Sequence, residues 1–457
     1  VAQMQFNMYH SYTVDEHTLR AVGVIADIAA GRLAEDHPLS AQIMPLIADR
    51  EALYLAMLLH DTGKGGAGGQ EVAGARAARQ VCERLGLERS KIELVAWLVE
   101  HHLVMSDYAQ KRDVSDPRTV ADFARIVETP ERLRLLLVLT VADIRAVGPG
   151  VWNGWKGQLM RELYAATEAV FRGGRGSDAA AALRRYQENA AYDARVRLAK
   201  ADPTAEAWGD AMEDAYFTAF DDAEVLSHAR LAQTARDGLG AAAICAVRPD
   251  LNASELMVAA TDRPRLFMDL ADAITAAGAN VVGARVFTSR TGQALDVFYV
   301  QDVTGQPFGA NEPRVLARLA DDLAAAARGE PMAREPRRKD LGRTAAFAIE
   351  PNVMLDNEAS ETATVVEASG RDRPGLLAAL ARILADAGLT ITSAHIDGYG
   401  ERAVDAFYVV DETGAKLTDA RRGNALKAAL LAALADEAEP ANSRRAALPR
   451  ARASVAR

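Results

Sequence analysis

Part of this chain is written twice, and that duplication limits its possible folds more than any other feature. DRPRLFMDLADAITAAGANVVGARV (262–286) aligns with DRPGLLAALARILADAGLTITSAHI (372–396) at an offset of 110, and DVFYVQDVTG (296–305) aligns with DAFYVVDETG (405–414) at an offset of 109. The first copy changes its hydrophobic period in a fixed order. LMVAAT (256–261) is strand-like, and RLFMDLADAITAAG (265–278) is an amphipathic helix stopped by glycine. NVVGARVFTS (280–289) is strand-like, RTGQ turns, LDVFYVQD is a strand, and RVLARLADDLAAAA is a second helix. The order β-α-β-β-α is the split βαβ pattern of ferredoxin-like α+β modules, and two of them are expected.

The remainder has a different texture. From about residue 14 to 235, alanine- and leucine-rich segments carry apolar residues three and four apart, as in IELVAWLVEHHL (92–103) and RLRLLLVLTVADIRA (132–146). An all-α domain is expected there, with RGGRGSD (172–178) as a loop between helices. The reading is therefore multidomain: a remnant over 1–14, a helical domain over 15–150, a helical extension over 151–250, and a first α+β repeat over 251–330. Residues 331–360 read as linker and strand, because RGEPMAREPRRKD is charged and contains Pro331 and Pro336. The second repeat follows over 361–437, then a disordered basic tail over 438–457 with five arginines and no acid in its last seventeen residues.

Bulk properties exclude several classes. The formal charge of −10 gives no global reason for nucleic acid or a membrane surface as partner. With only Cys82 and Cys245 there is neither a disulfide framework nor a zinc thiolate cluster, which fits a cytoplasmic protein. No apolar run reaches the ~18 residues of a membrane span, since LRLLLVLTVADIRAV is broken by Asp143 and Arg145. The chain opens on Val1 and shows no signal peptide, which leads to the expectation of a trimmed or incomplete protein.

The chemistry concentrates at AMLLHDTGKGG (56–66), where an apolar segment ends on His60-Asp61 and a glycine-rich turn with Lys64. Two such groups are costly to bury unless something binds them. His17, the pair His101-His102, and Asp143 likewise interrupt apolar helical segments. Imidazole plus carboxylate is a ligand mix suited to Mn, Fe, Mg or Zn, and a cation would offset the desolvation of the carboxylates. A lone helical histidine is more often a packed residue than a ligand, so the weight rests on the whole set. Neighbours on a helix diverge by about 100°, so only one of His101 and His102 faces such a site easily. GKGGAGG is not a phosphate-binding P-loop, because the lysine precedes the last glycine and no hydroxyl follows it.

The order His17, His60-Asp61, His101/His102, Asp143 resembles the HD phosphohydrolase superfamily. That resemblance implies one divalent ion, Mg or Mn, held by His17, His60, Asp61 and Asp143, with a metal-activated water attacking phosphorus. His60 and Asp61 would thus be catalytic as well, and Lys64 would face the phosphate. His101 or His102 would protonate the leaving group or hold a second ion.

MYHSYTVDEHTLRAV (8–22), TVADIRAVGPGVWNGWKGQLMRELY (140–164), VMLDNEASETATVVEASGRDRPGLL (353–377) and GERAVDAFYVVD (400–411) are similar to the PII uridylyltransferase/uridylyl-removing family. The fold class implied is an all-α HD domain followed by two ferredoxin-like ACT domains. The implied activity is glutamine-regulated removal of UMP from a tyrosine of the PII signalling protein. Two departures stand out. The family's nucleotidyltransferase domain is expected to be missing, since the stretch before His17 is too short for it. Gln70 stands where many members have a histidine, so a mononuclear site, or one completed by Glu71 or water, is expected. The resemblance places amino-acid binding at the loops DRPRL and DRPGL, with Asp262, Asn280, Asp372, Gly375 and Leu376 as the effector residues. Two other functions compete: a different ACT-regulated HD nucleotide phosphohydrolase, such as one acting on an alarmone, and a non-catalytic PII or amino-acid sensor.

Overall fold

The computed structural model describes residues 12–64, 69–148, 151–174, 178–331, 349–373, 375–399 and 402–435. The tail over 438–457, most of the N-terminal remnant and linker, and glycine-loop residues 65–68 lie outside the described residues.

Helices fill the described chain up to Asp237. They are α1 (Val14–Ala29), α2 (Pro38–Ile43), α3 (Arg50–Leu59), α4 (Gln70–Arg84), α5 (Arg89–Glu100), α6 (Val104–Lys111), α7 (Pro117–Val127), α8 (Pro130–Val147), α9 (Gly154–Arg172), α10 (Ala179–Ala201), α11 (Pro203–Ala211), α12 (Tyr216–Ala219) and α13 (Asp222–Asp237). Several starts are dictated locally. Asp116 and Thr129 cap first-turn amides of α7 and α8, and each is followed by a proline whose missing N–H costs nothing there. Asp221 and Glu224 close a reciprocal capping box on α13. α8 is apolar nearly all round, and Leu133 and Leu135 to Ala142 are buried, which makes it the central helix of the bundle. Among the described residues no helix is long and apolar enough to cross a membrane.

Two four-stranded antiparallel sheets follow. The first holds β1 (Ala241–Arg248), β2 (Ala253–Thr261), β3 (Asn280–Thr288) and β4 (Gln293–Gln301), in the order β1-β2-β4-β3, with α14 (Leu266–Ala277) and α15 (Pro313–Ala327). The second holds β5 (Asn352–Asp356), β6 (Thr364–Arg371), β7 (Leu389–Tyr399) and β8 (Arg402–Asp411), in the order β5-β6-β8-β7, with α16 (Leu376–Asp386) and α17 (Ala420–Ala435). Each module thus gains an edge strand from upstream of the duplicated segment. A boundary at 251 would cut the first sheet, because β1 pairs with β2 from Ala241↔Ala260 to Arg248↔Ala253.

Alternation along β4 explains how the modules stack. Leu295, Val297 and Tyr299 join the core of the helical part, whereas Ala294, Phe298 and Val300 join a core shared with the second repeat. The two repeats meet through α14 and α16, where Arg382 pairs with Asp272 at 2.7 Å and Arg265 with Asp386 at 2.6 Å. The second sheet also touches the helical part. Tyr408 Oη accepts the Asp113 N–H at 2.7 Å, Arg112 pairs with Glu367 at 2.9 Å, and the Ser360 hydroxyl donates to Asp116.

Candidate metal centre

Three helices deliver the imidazole and carboxylate groups to one place. His17 lies in the first turns of α1, His60 and Asp61 terminate α3, and Asp143 lies in the last part of α8. α3 can end sharply because Gly63 lets α4 pack against the turn: a Cβ there would lie 1.9 Å from the Gln70 carbonyl oxygen. His17, His60 and Asp61 are all at most 5% exposed.

Their donor atoms converge. His17 Nε2 is 3.3 Å from His60 Nε2, 3.0 Å from Asp143 Oδ1 and 3.8 Å from Asp61 Oδ2. His60 Nε2 is 3.3 Å from Asp61 Oδ2 and 3.5 Å from Asp143 Oδ1. Atoms each about 2.0–2.2 Å from a single ion would be separated by roughly 3–3.6 Å at tetrahedral or octahedral angles. The donor set therefore fits a divalent cation, and His17, His60 and Asp61 form a group able to hold one.

Backbone carbonyls set the imidazoles. His60 Nδ1 donates to Met57 O at 2.7 Å, so in the neutral ring that a bound cation requires Nε2 is the inward lone pair. His102 is held the same way by Val99 O at 2.8 Å, and its ring lies 5.3 Å from that of His60. His101 goes elsewhere: its ring stacks on Trp97 at 4.7 Å and its Nδ1 donates to Trp97 O. The pair does not sit within a helix as its spacing suggested. α5 stops at Glu100 and His101 is its C-cap, so the two rings separate at a helix end.

Charge in the pocket is tightly coupled. Burial alone would lower the His60 pKa, yet the Asp143 carboxylate, with Asp61 behind it, outweighs burial and raises it to about 10. Asp61 and Asp143 move the opposite way. Burial disfavours their charge, and the neighbouring imidazoles hold both below the usual carboxylate range. His102 is lowered by burial, with Asp143 opposing. The pocket retains two carboxylates as anions and demands positive charge between them. Lys64 supplies part of it from the rim, with Nζ 2.6 Å from Asp61 Oδ2. Gln70 begins α4, half-buried, with Glu71 beside it in the first turn.

The other sequence-derived residues lie around the repeats. A cavity of ≈560 Å³ opens between the DRPRL loop of the first repeat and strand β7 of the second. Asp262 lines it; Asn280 is exposed at the start of β3, whereas its counterpart Thr390 does line it. Gly375 caps α16 at φ 82°, Leu376 is buried in the shared core, and Asp372 is half-buried. Residues that motif reading passed over include Met57 and Val99, which orient the rings through their carbonyls, and Tyr408, read only as part of the repeated FYV landmark.

Residues 14–146 match the HD domain family, and residues 359–433 match the ACR family N-terminal ACT domain. The chain thus couples an HD domain, a metal-dependent phosphohydrolase type, to an ACT module. The whole chain is 84% identical over 459 residues to the bifunctional uridylyltransferase/uridylyl-removing enzyme of Phenylobacterium zucineum, covering 49% of that protein. It is 71% identical over 458 residues to the one of Caulobacter vibrioides, again with all of this chain and 49% of the relative. Against the Azospirillum brasilense enzyme the identity is 45% over 451 residues, 95% of this chain and 47% of the relative. Along its whole length the chain is similar to one part of these bifunctional uridylyltransferase/uridylyl-removing enzymes, and it spans about half the length of the curated relatives it matches.

Proposed function

We propose that this chain carries the uridylyl-removing half of the family's chemistry: metal-dependent hydrolysis of the phosphodiester that links UMP to a tyrosine of the PII signalling protein, under control of glutamine. The observation that carries this reading is the convergence of His17, His60, Asp61 and Asp143, within 3.0–3.8 Å along the contacts given above, beside Lys64. Those four side chains would hold Mg or Mn. A divalent ion there supplies Lewis acidity toward phosphoryl oxygen and lowers the pKa of water. The protein's own residues do the rest. Met57 O fixes the tautomer that presents His60 Nε2 inward, and the three helices exclude bulk water from the donors. Lys64, with Nζ 2.6 Å from Asp61 Oδ2, would exchange that contact for a phosphoryl oxygen. Of the two neighbouring histidines only His102 lies against His60; burial favours its neutral form, so it would take a proton from the attacking water and then pass it to the departing tyrosinate.

Glutamine would be sensed by the ACT repeats. The cavity against the DRPRL loop has room for glutamine and is bounded by both repeats. The decisive experiment measures UMP release from uridylylated PII by the purified chain with Mn or Mg, with and without glutamine. Release stimulated by glutamine supports the reading. Release of pyrophosphate from an alarmone nucleotide, with none of UMP, assigns the site to another nucleotide phosphohydrolase. Failure to act on either substrate at saturating metal leaves a non-catalytic sensor.

A further inference from the structure

The cavity between the repeats contains one buried group that the sensor reading does not use. Asp296 lies on the face of β4 that turns Ala294 and Phe298 toward α14 and α15. It is 2% exposed, it lines the cavity, and its Oδ1 has no hydrogen-bond partner. Its cross-strand neighbours are Val258 and Val286, which offer no side-chain donor. The other charged groups lining the cavity are Asp262, Arg263, Arg265 and Glu412. Arg263 is engaged by Asp269 and the Ala326 and Ala327 carbonyls, and Arg265 by Asp386. Burial, and then the charge of Asp262, raise the Asp296 pKa to about 8.

The first turn of α14 opens onto the same cavity through Leu266, Phe267 and Met268, and no side chain caps it. A helix N-terminus presents N–H groups and partial positive charge suited to a carboxylate. One wall is therefore short of an anion and the floor is short of a cation. An α-amino acid carries both on one carbon.

We propose that Asp296 receives the ammonium group of an amino-acid effector while the first turn of α14 receives its carboxylate. This inference rests on the sensor role given above to the repeats. The effector's side chain then points to the β7 wall, where Thr390 and Ile391 contact it. Forming the ion pair leaves Asp296 ionised, so the proton it carried in the empty site passes to the buffer.

The test is calorimetric titration of the full chain with L-glutamine at pH 7, in two buffers of different ionisation enthalpy. The expected result is release of about 0.9 proton per glutamine, because a carboxyl with a pKa near 8 is mostly protonated there. Glutaramate, which lacks the amine, binds at least about tenfold more weakly, a difference of one decade in Kd. In Asp296→Asn the proton release vanishes and glutamine loses its advantage over glutaramate. Glutamine binding without proton release, or with undiminished advantage in Asp296→Asn, overturns the inference and leaves the sensor reading intact. Absence of any glutamine heat or thermal shift in the unaltered chain overturns both. Should Asp296→Asn fail to fold, the two wild-type measurements still decide.

Discussion

The metal centre and the cavity between the repeats each bury a carboxylate, and they treat it in opposite ways. In the helical part, Asp61 and Asp143 stay ionised because His17, His60 and Lys64 surround them. In the first repeat, Asp296 is equally buried but faces valines and another carboxylate, and its pKa climbs to about 8. The same side chain is an anion in one place and a neutral acid in the other, and neighbours alone make the difference. A pocket that keeps anions together is built to hold a cation permanently. A pocket that keeps an acid neutral can exchange its proton for a cation that comes and goes.

The largest effects should come from breaking the first pocket. His60→Ala, Asp61→Ala and Asp143→Ala are each expected to lower UMP release by at least about 10²–10³-fold, since each removes part of the charge arrangement at the reacting phosphate. His102→Ala should cost roughly 10–100-fold and His101→Ala far less, because only His102 lies against His60. Equal losses at the two histidines would overturn that division. Mn at about 100 times its Kd should stabilise the chain by about 2.7 kcal/mol in thermal melts, and chelation should reverse this. Asp61→Ala should show no such shift.

The second pocket should reveal itself through pH. The folded-state pKa of Asp296 lies above its unfolded value of 3.8, so the folded state binds the extra proton between the two. Its contribution to stability therefore falls as pH rises from about 4 to about 8 and levels off beyond, with a slope of up to about 1.4 kcal/mol per pH unit. Asp296→Asn should flatten that part of the stability profile measured by urea unfolding without effector. An unchanged slope in Asp296→Asn would show that another group titrates.

What the sequence revealed depended on whether a signal was periodic or local. The repeats are legible because DRP, AG, FYV and TG recur around matching helix and strand periods, and two sheets of the same order result. β1 escaped because AAAICAV is mostly alanine, lacks a strand-like alternation and directly follows a helix; pairing with β2 makes it a strand. The set His17, His60, Asp61, Asp143 stood out as polar groups in apolar helices, and helix packing brings those four together. Choosing between His101 and His102 needed the point at which α5 ends, which spacing cannot give within a residue or two. Asp296 was invisible as a site, since within LDVFYV it reads as an ordinary alternating strand residue.

The contact between the second repeat and the helical part offers a smaller effect. Tyr408 takes the Asp113 amide at 2.7 Å from the second sheet, in the turn that follows α6, and α6 itself begins just after His102. Tyr408→Phe should cost about 1 kcal/mol of stability, the usual net worth of one such bond. It should also weaken the response of UMP release to glutamine more than it changes release without glutamine. An unaltered response would mean that the signal crosses elsewhere.

The smallest effect separates the two repeats themselves. Arg265 holds φ 71° at the N-cap of α14, where the second repeat has Gly375 at φ 82°. A non-glycine residue in that region stores about 1 kcal/mol, which Arg265→Gly would release. The substitution also frees the unfolded chain, by roughly 0.5–1 kcal/mol, and removes a surface ion pair with Asp386 worth about 0–1 kcal/mol. The terms largely offset one another, so the unfolding free energy from denaturant melts should change by no more than about 1 kcal/mol. If the strain serves only to hold Arg265 across the repeats, Asp386→Ala should reproduce whatever change Arg265→Gly makes in glutamine affinity. If the strain instead shapes the cavity rim, Arg265→Gly alone should alter affinity, because only that variant changes the backbone preceding the first turn of α14.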